Sequence, residues 1–200
     1  ALHMPSHIYT RIGRWEDSIE SNSRASRLAL ANGEADDTLH ALDYMAYAYL
    51  QSGRDGDALR VMRDAAAAQF TGPRRAAYSF AMAAIPARYA LERGAWQEAA
   101  TLPPWPDPTF GFPESLRYFA RAIGLARAGR PLEAGADIEA LGRIAESLRP
   151  RDPYWAEQVS VQREAAAGWQ AFAAGRSEDG LALLRGAADR ESRTDKHVIT

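Results

Sequence analysis

Five glycines recur along the chain in similar settings, and this repetition constrains the fold more than any other feature of the sequence. They stand in the segments GRWEDSI, GRDGDAL, GAWQEAA, GRPLEAG and GRSEDGL, with separations of 40, 41, 35 and 46 residues between Gly13, Gly53, Gly94, Gly129 and Gly175. Periods of this length are typical of stacked helical or mixed units. Because glycine adopts the left-handed C-cap geometry without strain, each glycine is predicted to end a helix.

A small residue follows each glycine after five positions: Ser18, Ala58, Ala99, Ala134 and Gly180. Small side chains let two helix axes approach closely, so each glycine is predicted to join the two helices of a hairpin. The composition agrees, because 41 of the 200 residues are alanine, the residue with the highest helix propensity. The sequence contains no alternating strand pattern of useful length. These observations predict an all-α chain.

The segment ALDYMAYAYLQSGRDGDALRVMRDA, residues 41–65, resembles the tetratricopeptide repeat (TPR) family, and IYTRIGRWEDSI, residues 8–19, matches the same pattern. The resemblance implies a TPR-like solenoid of about five antiparallel helical hairpins forming a right-handed superhelix. It implies one domain over 1–195 and a tail at 196–200. The third hairpin departs from the family pattern, because it lacks a full second helix. The abrupt start also fits a fragment of a longer bacterial TPR protein. The residues that carry the match are Leu42, Met45, Ala46, Tyr49, Gly53, Ala58, Met62 and Ala65.

In TPR proteins the first helix of each hairpin lines a concave groove, so the resemblance also implies where a partner binds. The expected polar end of the groove carries histidines and arginines, and its other end is aromatic. We therefore expect a non-catalytic scaffold that binds a protein or peptide segment, with Arg11 and Arg88 favouring an acidic one. The predicted groove residues are His3, His7, Arg11, His40, Asp43, Tyr47, Arg88, Phe119 and Trp169.

The histidines allow a second interpretation, a small-molecule or metal-binding site at the polar end. His3 and His7 stand four residues apart, and with His40 and Asp43 they offer three nitrogens and one oxygen, ligand types that suit zinc. However, Pro5 favours a helix that begins after His3, and no HExxH or comparable signature is present. We therefore expect no resident metal and no cofactor, with polar contacts between helices or with a ligand as the alternative. A purely structural array within a larger protein is the third interpretation.

Catalytic motifs are missing from the sequence. Ser6, His7 and Asp43 supply the residue types of a hydrolytic triad, but no GxSxG elbow and no glycine-rich phosphate loop accompany them. The absence of cysteine excludes thiolate nucleophiles and disulfides. We therefore expect no enzymatic activity.

Charge and hydropathy restrict the partners. The net charge of -2 and the pI near 6.1 give no electrostatic footprint for nucleic acid, so none is expected as a partner. No apolar run reaches the roughly 18 residues of a membrane span, so no membrane insertion is expected. We expect a cytoplasmic location, or a periplasmic or secreted one if a signal peptide precedes Ala1.

The segment TLPPWPDPTFGFPE, residues 101–114, interrupts the repeat. Its five prolines are incompatible with a helix, while Trp105, Phe110 and Phe112 are too apolar for a flexible linker. The sequence predicts an irregular but ordered insertion over 102–113, with Trp105 or Phe110 substantially buried. A lid or partner anchor at the groove is the alternative.

Overall fold

The computed structural model describes residues 2–70 and 74–195, and every regular element in these ranges is a helix. The prediction of an all-α chain is confirmed. The predicted tail at 196–200 lies outside the described residues. In the described ranges there are ten α-helices and one 3-10 turn: α1 Pro5–Arg11, α2 Trp15–Ala31, α3 Ala35–Gln51, α4 Asp55–Ala67, α5 Ala76–Glu92, α6 Trp96–Ala100, α7 Phe112–Arg127, the 3-10 turn Pro131–Ala134, α8 Gly135–Leu148, α9 Pro153–Ala173 and α10 Ser177–Glu191.

The five repeated glycines all lie in turns between helices. Each has a positive φ, between 64° and 84°, a region that L side chains rarely adopt. At four of them the next backbone N–H donates to a carbonyl oxygen five residues back, as from Arg14 to Tyr9 and from Arg54 to Tyr49, both 2.9 Å. This is the Schellman bond that satisfies carbonyl groups at a helix C-terminus. The prediction that these glycines end helices is confirmed.

The small residue five positions after each glycine is buried in every hairpin. Two contacts show how closely the helices approach there. A Cβ atom added to Gly180 of α10 would lie 2.8 Å from the carbonyl oxygen of Gly168 of α9, and one added to Gly124 of α7 would lie 2.8 Å from Ala99 Cβ of α6. Larger side chains at these crossings would force the backbones apart.

The helices fall into two compact units, α1 to α5 and α6 to α10. In the first unit, α3 contacts α1, α2, α4 and α5. In the second unit, α9 contacts α7, α8 and α10, while α7 also contacts α6 and α8. The first helices of the hairpins are α1, α3, α5, α7 and α9, and the second helices are α2, α4, α6, α8 and α10. Within the first unit α3 packs against both helices of the preceding hairpin, α1 and α2, and within the second unit α9 packs in the same way against α7 and α8. A single domain over 1–195 stays a prediction.

Helix α3 is the most enclosed element of the first unit. Leu39, Ala41 and Ala48 have no exposed surface, because neighbouring helices cover this helix on several sides. Since the helix repeats every 3.6 residues, His40 and Tyr44 share one face, directed toward the start of α1. The core of the unit thus fixes the orientation of the histidine-bearing helix.

The proline-rich segment has no helical structure between Leu102 and Gly111, and α7 already begins at Phe112. Phe112 is buried and its ring stacks on Trp155 of α9, with centroids 3.8 Å apart. Trp105 and Phe110 are only half-buried. The main anchor of this segment is therefore Phe112, at its junction with α7. The sequence predicts burial of Trp105 or Phe110 instead. The second helix before it, α6, has five residues, so the third hairpin is shortened.

Candidate functional site

Three histidines and one tyrosine meet where the start of α1 approaches α3. His3 lies just before α1, His7 is in its first turns, and His40 and Tyr44 are one turn apart on α3. The ring centroid of His3 lies 4.7 Å from that of His7 and 4.4 Å from that of His40, and His7 lies 4.8 Å from Tyr44. We call His3, His7, His40 and Tyr44 the histidine cluster.

Pro5 begins α1, as the sequence predicts, so His3 stands outside the helix. The concern that this would separate the two imidazoles proves wrong. The chain turns sharply before the helix, with Ser6 N–H donating to His3 O at 2.9 Å, and the two rings still face each other through their Nε2 atoms, 2.9 Å apart. A turn, instead of an i, i+4 helical pair, brings them together.

A chain of hydrogen bonds links the cluster to α2 and fixes the tautomers. Asn22 Nδ2 donates to Ser18 O at 2.8 Å, so Asn22 Oδ1 is the acceptor of the 2.6 Å bond with His3 Nδ1. His3 Nε2 then carries a lone pair and accepts from His7 Nε2 at 2.9 Å. His7 Nδ1 accepts in turn from the Tyr44 hydroxyl at 2.8 Å. All these bonds are satisfied with neutral imidazoles.

The environment of the cluster disfavours charge. Burial, together with the neighbouring His3, His7 and Arg88, lowers the pKa of His40 to about 3. Burial also lowers the pKa of His3 and of His7 below the ordinary value, with His3 and Arg11 adding to the effect on His7. The three imidazoles are therefore uncharged at neutral pH, the form in which their nitrogens carry a free electron pair for a ligand.

Asp43 does not join the histidine cluster, contrary to the hypothesis of a fourth ligand from this residue. Its side chain is fully buried, and Arg88 of α5 is its ion-pair partner, with Nε 3.4 Å from Oδ1. Both carboxylate oxygens lack a hydrogen bond from the described residues, because the Arg88 contact is close but poorly aligned. Burial raises the pKa of Asp43, and Arg88 opposes that shift only in part.

Tyr47 and Arg88, two further predicted groove residues, contact each other between α3 and α5, and Gln51 and Glu92 form a second contact between the same helices. The guanidinium carbon of Arg88 lies 5.3 Å from the centroid of the Tyr47 ring, and Gln51 Nε2 donates to Glu92 Oε2 at 2.8 Å. Tyr47 and Arg88 are half-buried, while Gln51 and Glu92 are exposed. Arg11, at the end of α1, is also exposed.

Phe119 and Trp169 belong to the second unit, on its first helices α7 and α9. Both side chains are half-buried. The exposed Arg127 lies between two indoles, with its guanidinium carbon 4.8 Å from the Trp96 ring centroid and 4.9 Å from that of Trp169. Arg127 at the end of α7 is therefore held between aromatic rings of α6 and α9.

Sequence reasoning missed Tyr44 and Asn22. Tyr44 follows His40 by one helical turn, a spacing that places the two side chains on the same face. The many apolar residues of α3 made Tyr44 look like one more core residue. Asn22 stands four residues after the small Ser18 on the buried face of α2, where a polar residue signals a hydrogen-bonding role. Ser6, considered as a nucleophile, is fully buried and its hydroxyl lies 3.3 Å from His3 Nδ1.

Comparison of the chain with protein-family models, curated proteins and solved structures gives no match. The TPR resemblance therefore remains a prediction from the sequence. In the described part of the chain, no helix combines the length and the apolar character that crossing a lipid bilayer requires.

Proposed function

We propose that the protein is a TPR-like helical-repeat scaffold that binds an extended protein or peptide segment along its first helices. The observation that carries the proposal is the adjacency of α1, α3 and α5 in the first unit. Side-chain contacts join these helices at three places: between His7 and Tyr44, between Tyr47 and Arg88, and between Gln51 and Glu92. Half-buried and exposed groups such as Tyr47, Arg88 and Gln51 on rigid helices suit recognition of a peptide.

The repeated hairpin geometry supports the same proposal. Four turns share the Schellman bond, all five have a buried small residue after the glycine, and each unit repeats the contact between successive first helices. Repeats of this kind stack into extended surfaces that bind partners without a deep pocket. We expect the right-handed superhelix of the TPR family to follow from the same packing.

Charge favours a ligand segment with carboxylates. Arg11 is exposed at the end of α1, and Arg88 keeps 29% of its side chain exposed while it contacts the buried Asp43. A guanidinium group binds a carboxylate through two parallel hydrogen bonds. We therefore propose that the first unit binds an acidic segment. Phe119 and Trp169 of the second unit, considered separately, offer apolar surface of the kind that binds aromatic or aliphatic side chains.

Selection from a random peptide library displayed on phage tests this function. Selected peptides should be enriched in Asp or Glu, and fluorescence anisotropy should show weaker binding to Arg11→Ala and Tyr47→Ala, by about 10-fold or more. Arg63→Ala is the matched control, because Arg63 is equally exposed but lies on α4, a second helix.

Two outcomes would contradict the proposal. One is a library that gives no enrichment over an unrelated helical protein. The other is a set of peptides that bind the Tyr47→Ala and Arg11→Ala proteins as tightly as the unmodified one. A purely structural array would produce the first outcome.

A further inference from the structure

The histidine cluster offers three nitrogen donors at the spacing of a metal site. One ring nitrogen of each of His3, His7 and His40 lies within 4.8 Å of the other two. The His3 and His7 Nε2 atoms are 2.9 Å apart. Two ligands of a tetrahedral zinc ion with Zn–N distances of about 2.0–2.1 Å lie roughly 3.3 Å apart. The His3 and His7 nitrogens are therefore already close to that separation, and the His40 nitrogen lies within 4.8 Å of both.

The hydrogen bonds behind the imidazoles match the second shell of such a site. His3 Nδ1 donates to the buried Asn22 Oδ1 at 2.6 Å, which leaves Nε2 with its electron pair directed toward the cluster. Ligating histidines nearly always donate their other ring N–H in this way, because the bond fixes the ring and its tautomer. The site is thus oriented from behind by a residue of α2.

Behind His7 the Tyr44 hydroxyl takes the place that Asn22 has behind His3, and its oxygen lies 2.8 Å from His7 Nδ1. Without an ion, His7 carries its hydrogen on Nε2 and donates it to His3. To bind an ion through Nε2, His7 moves this hydrogen to Nδ1, and the Tyr44 oxygen becomes the acceptor. The imidazole stays neutral and no net proton is released. The ion then replaces the hydrogen that joined the two Nε2 atoms.

The cluster is accessible from solvent through a cavity of about 280 Å³. His3 and His40 form part of its wall, together with the carboxylates of Glu34 and Asp37. Carboxylates beside an opening raise the local concentration of cations. The cavity therefore gives a cation a path from solvent to the side of the cluster formed by His3 and His40.

We propose that His3, His7 and His40 bind one divalent transition-metal ion, best matched by Zn²⁺, with Tyr44 and Asn22 as second-shell residues. Three imidazoles suit zinc, whereas Mg²⁺ and Ca²⁺ require oxygen ligands. Three protein ligands leave one position for water or for a ligand group entering from the cavity. His7 and Tyr44 also belong to the proposed peptide-binding surface, but that function is tested with Arg11→Ala and Tyr47→Ala, so the two proposals can fail separately.

Isothermal titration with ZnCl2, together with elemental analysis after dialysis, tests the site. The protein should be the full chain without a polyhistidine tag, first treated with a chelator. We expect one equivalent of zinc to bind, and MgCl2 or CaCl2 to give no heat of binding. Co²⁺ in the same site should show the intense visible bands of a tetrahedral ion.

Variants assign the ligands. His7→Gln and His40→Gln should each lower zinc affinity by more than about 100-fold, a greater loss than that from removing a second-shell hydrogen bond. His197→Gln is the matched control, because it removes the one histidine that the proposed site does not use. Circular dichroism shows whether each variant is folded.

Tyr44→Phe keeps the ring and removes only the hydroxyl, so it tests the second shell in a folded protein. We expect zinc affinity to fall about 10- to 100-fold. Three results would overturn the proposal: sub-stoichiometric zinc in the unmodified protein, unchanged affinity in both His7→Gln and His40→Gln, or a Co²⁺ spectrum like that of the hydrated ion. Failure of this experiment would leave the peptide-binding result unaffected.

Discussion

Tyr44 and His7 are separated by 37 residues in the sequence and joined by a hydrogen bond of 2.8 Å. The bond connects α3 to α1 and places the tyrosine hydroxyl behind the imidazole that faces His3. It therefore has two consequences, one for the stability of the packing between the first two hairpins and one for the tautomer of His7. The first can be measured without any ligand.

Tyr44→Phe should lower the free energy of unfolding of the metal-free protein by about 1 kcal/mol, the typical contribution of one hydrogen bond. Urea denaturation with a chelator present gives this value. Tyr9→Phe is the control, since the Tyr9 ring contacts Arg14 through its face and the substitution should change stability by less than about 0.5 kcal/mol. Equal effects from the two substitutions would show that the Tyr44 hydroxyl does not stabilise the packing of α3 against α1.

Asp43→Asn should alter how stability depends on pH. Because burial raises the pKa of Asp43 in the folded protein, the folded state binds a proton that the unfolded state loses just above the ordinary pKa of 3.8. The unmodified protein therefore loses stability, relative to Asp43→Asn, as pH rises from 3.8 through the folded-state pKa. The loss is complete above that pKa, and it is absent at lower pH, where both states are protonated.

Denaturation curves of both proteins from pH 3.5 to pH 8 check this sign. The difference in unfolding free energy, Asp43→Asn minus unmodified, should increase with pH and then level off. Asp64→Asn, at an exposed position of α4, is the control. A difference that decreases with pH would mean that Arg88 stabilises the Asp43 carboxylate more than burial destabilises it.

Gly124→Ala should destabilise the second unit by about 1–3 kcal/mol or more. The added Cβ would clash with the backbone nitrogen of Ala100 and lie 2.8 Å from the carbonyl carbon of Ala99, atoms that cannot move aside as a side chain would. Gly56→Ala is the control, because this helical glycine has no atom within 4 Å of the added Cβ. At this position the greater helix propensity of alanine should raise the free energy of unfolding by up to about 1 kcal/mol. Thermal unfolding separates these opposite signs.

Phe112→Ala should cost about 3–5 kcal/mol, the range for removing a buried aromatic ring. Phe112 is 4% exposed and stacks on Trp155 with ring planes 2° apart. Phe110→Ala removes a half-buried ring of the same type and should cost clearly less. Tryptophan fluorescence during denaturation reports both stability and the Trp155 environment. A larger effect at Phe110 would identify that ring as the anchor of the proline-rich segment.

The hairpin turns could be predicted because their causes are local. Gly13 and Gly53 require a positive φ, and the hydrogen bonds that close their turns span five residues of the same segment. The small residues after the glycines are equally local signals, since only a small side chain permits a close helix crossing. The same reasoning located the irregular segment by its prolines, although it placed the end of that segment two residues too late, at 113, while α7 begins at Phe112.

The candidate site could be predicted only in part. The spacing of His3 and His7 and their relation to His40 indicated three imidazoles that lie together in the structure. Asp43 was grouped with them because it stands one turn after His40, but the helix faces differ and Asp43 is directed toward Arg88. Sequence spacing gives the approximate face of a helix on which a residue lies. Which group pairs with a buried charge depends on the neighbouring helix, and the sequence spacing does not show that helix.

The sequence by itself determined the helical elements, their turns and the small residues at the crossings, since each depends on the conformational preferences of a few neighbouring residues. Only the tertiary structure decided that His3 meets His7 through a turn, that Asn22 of α2 orients His3, and that Tyr44 of α3 orients His7. These contacts join positions 19 and 37 residues apart. They arise from the packing of three helices, and a helix packs by its apolar face without specifying which polar groups at its edge will come within hydrogen-bonding distance.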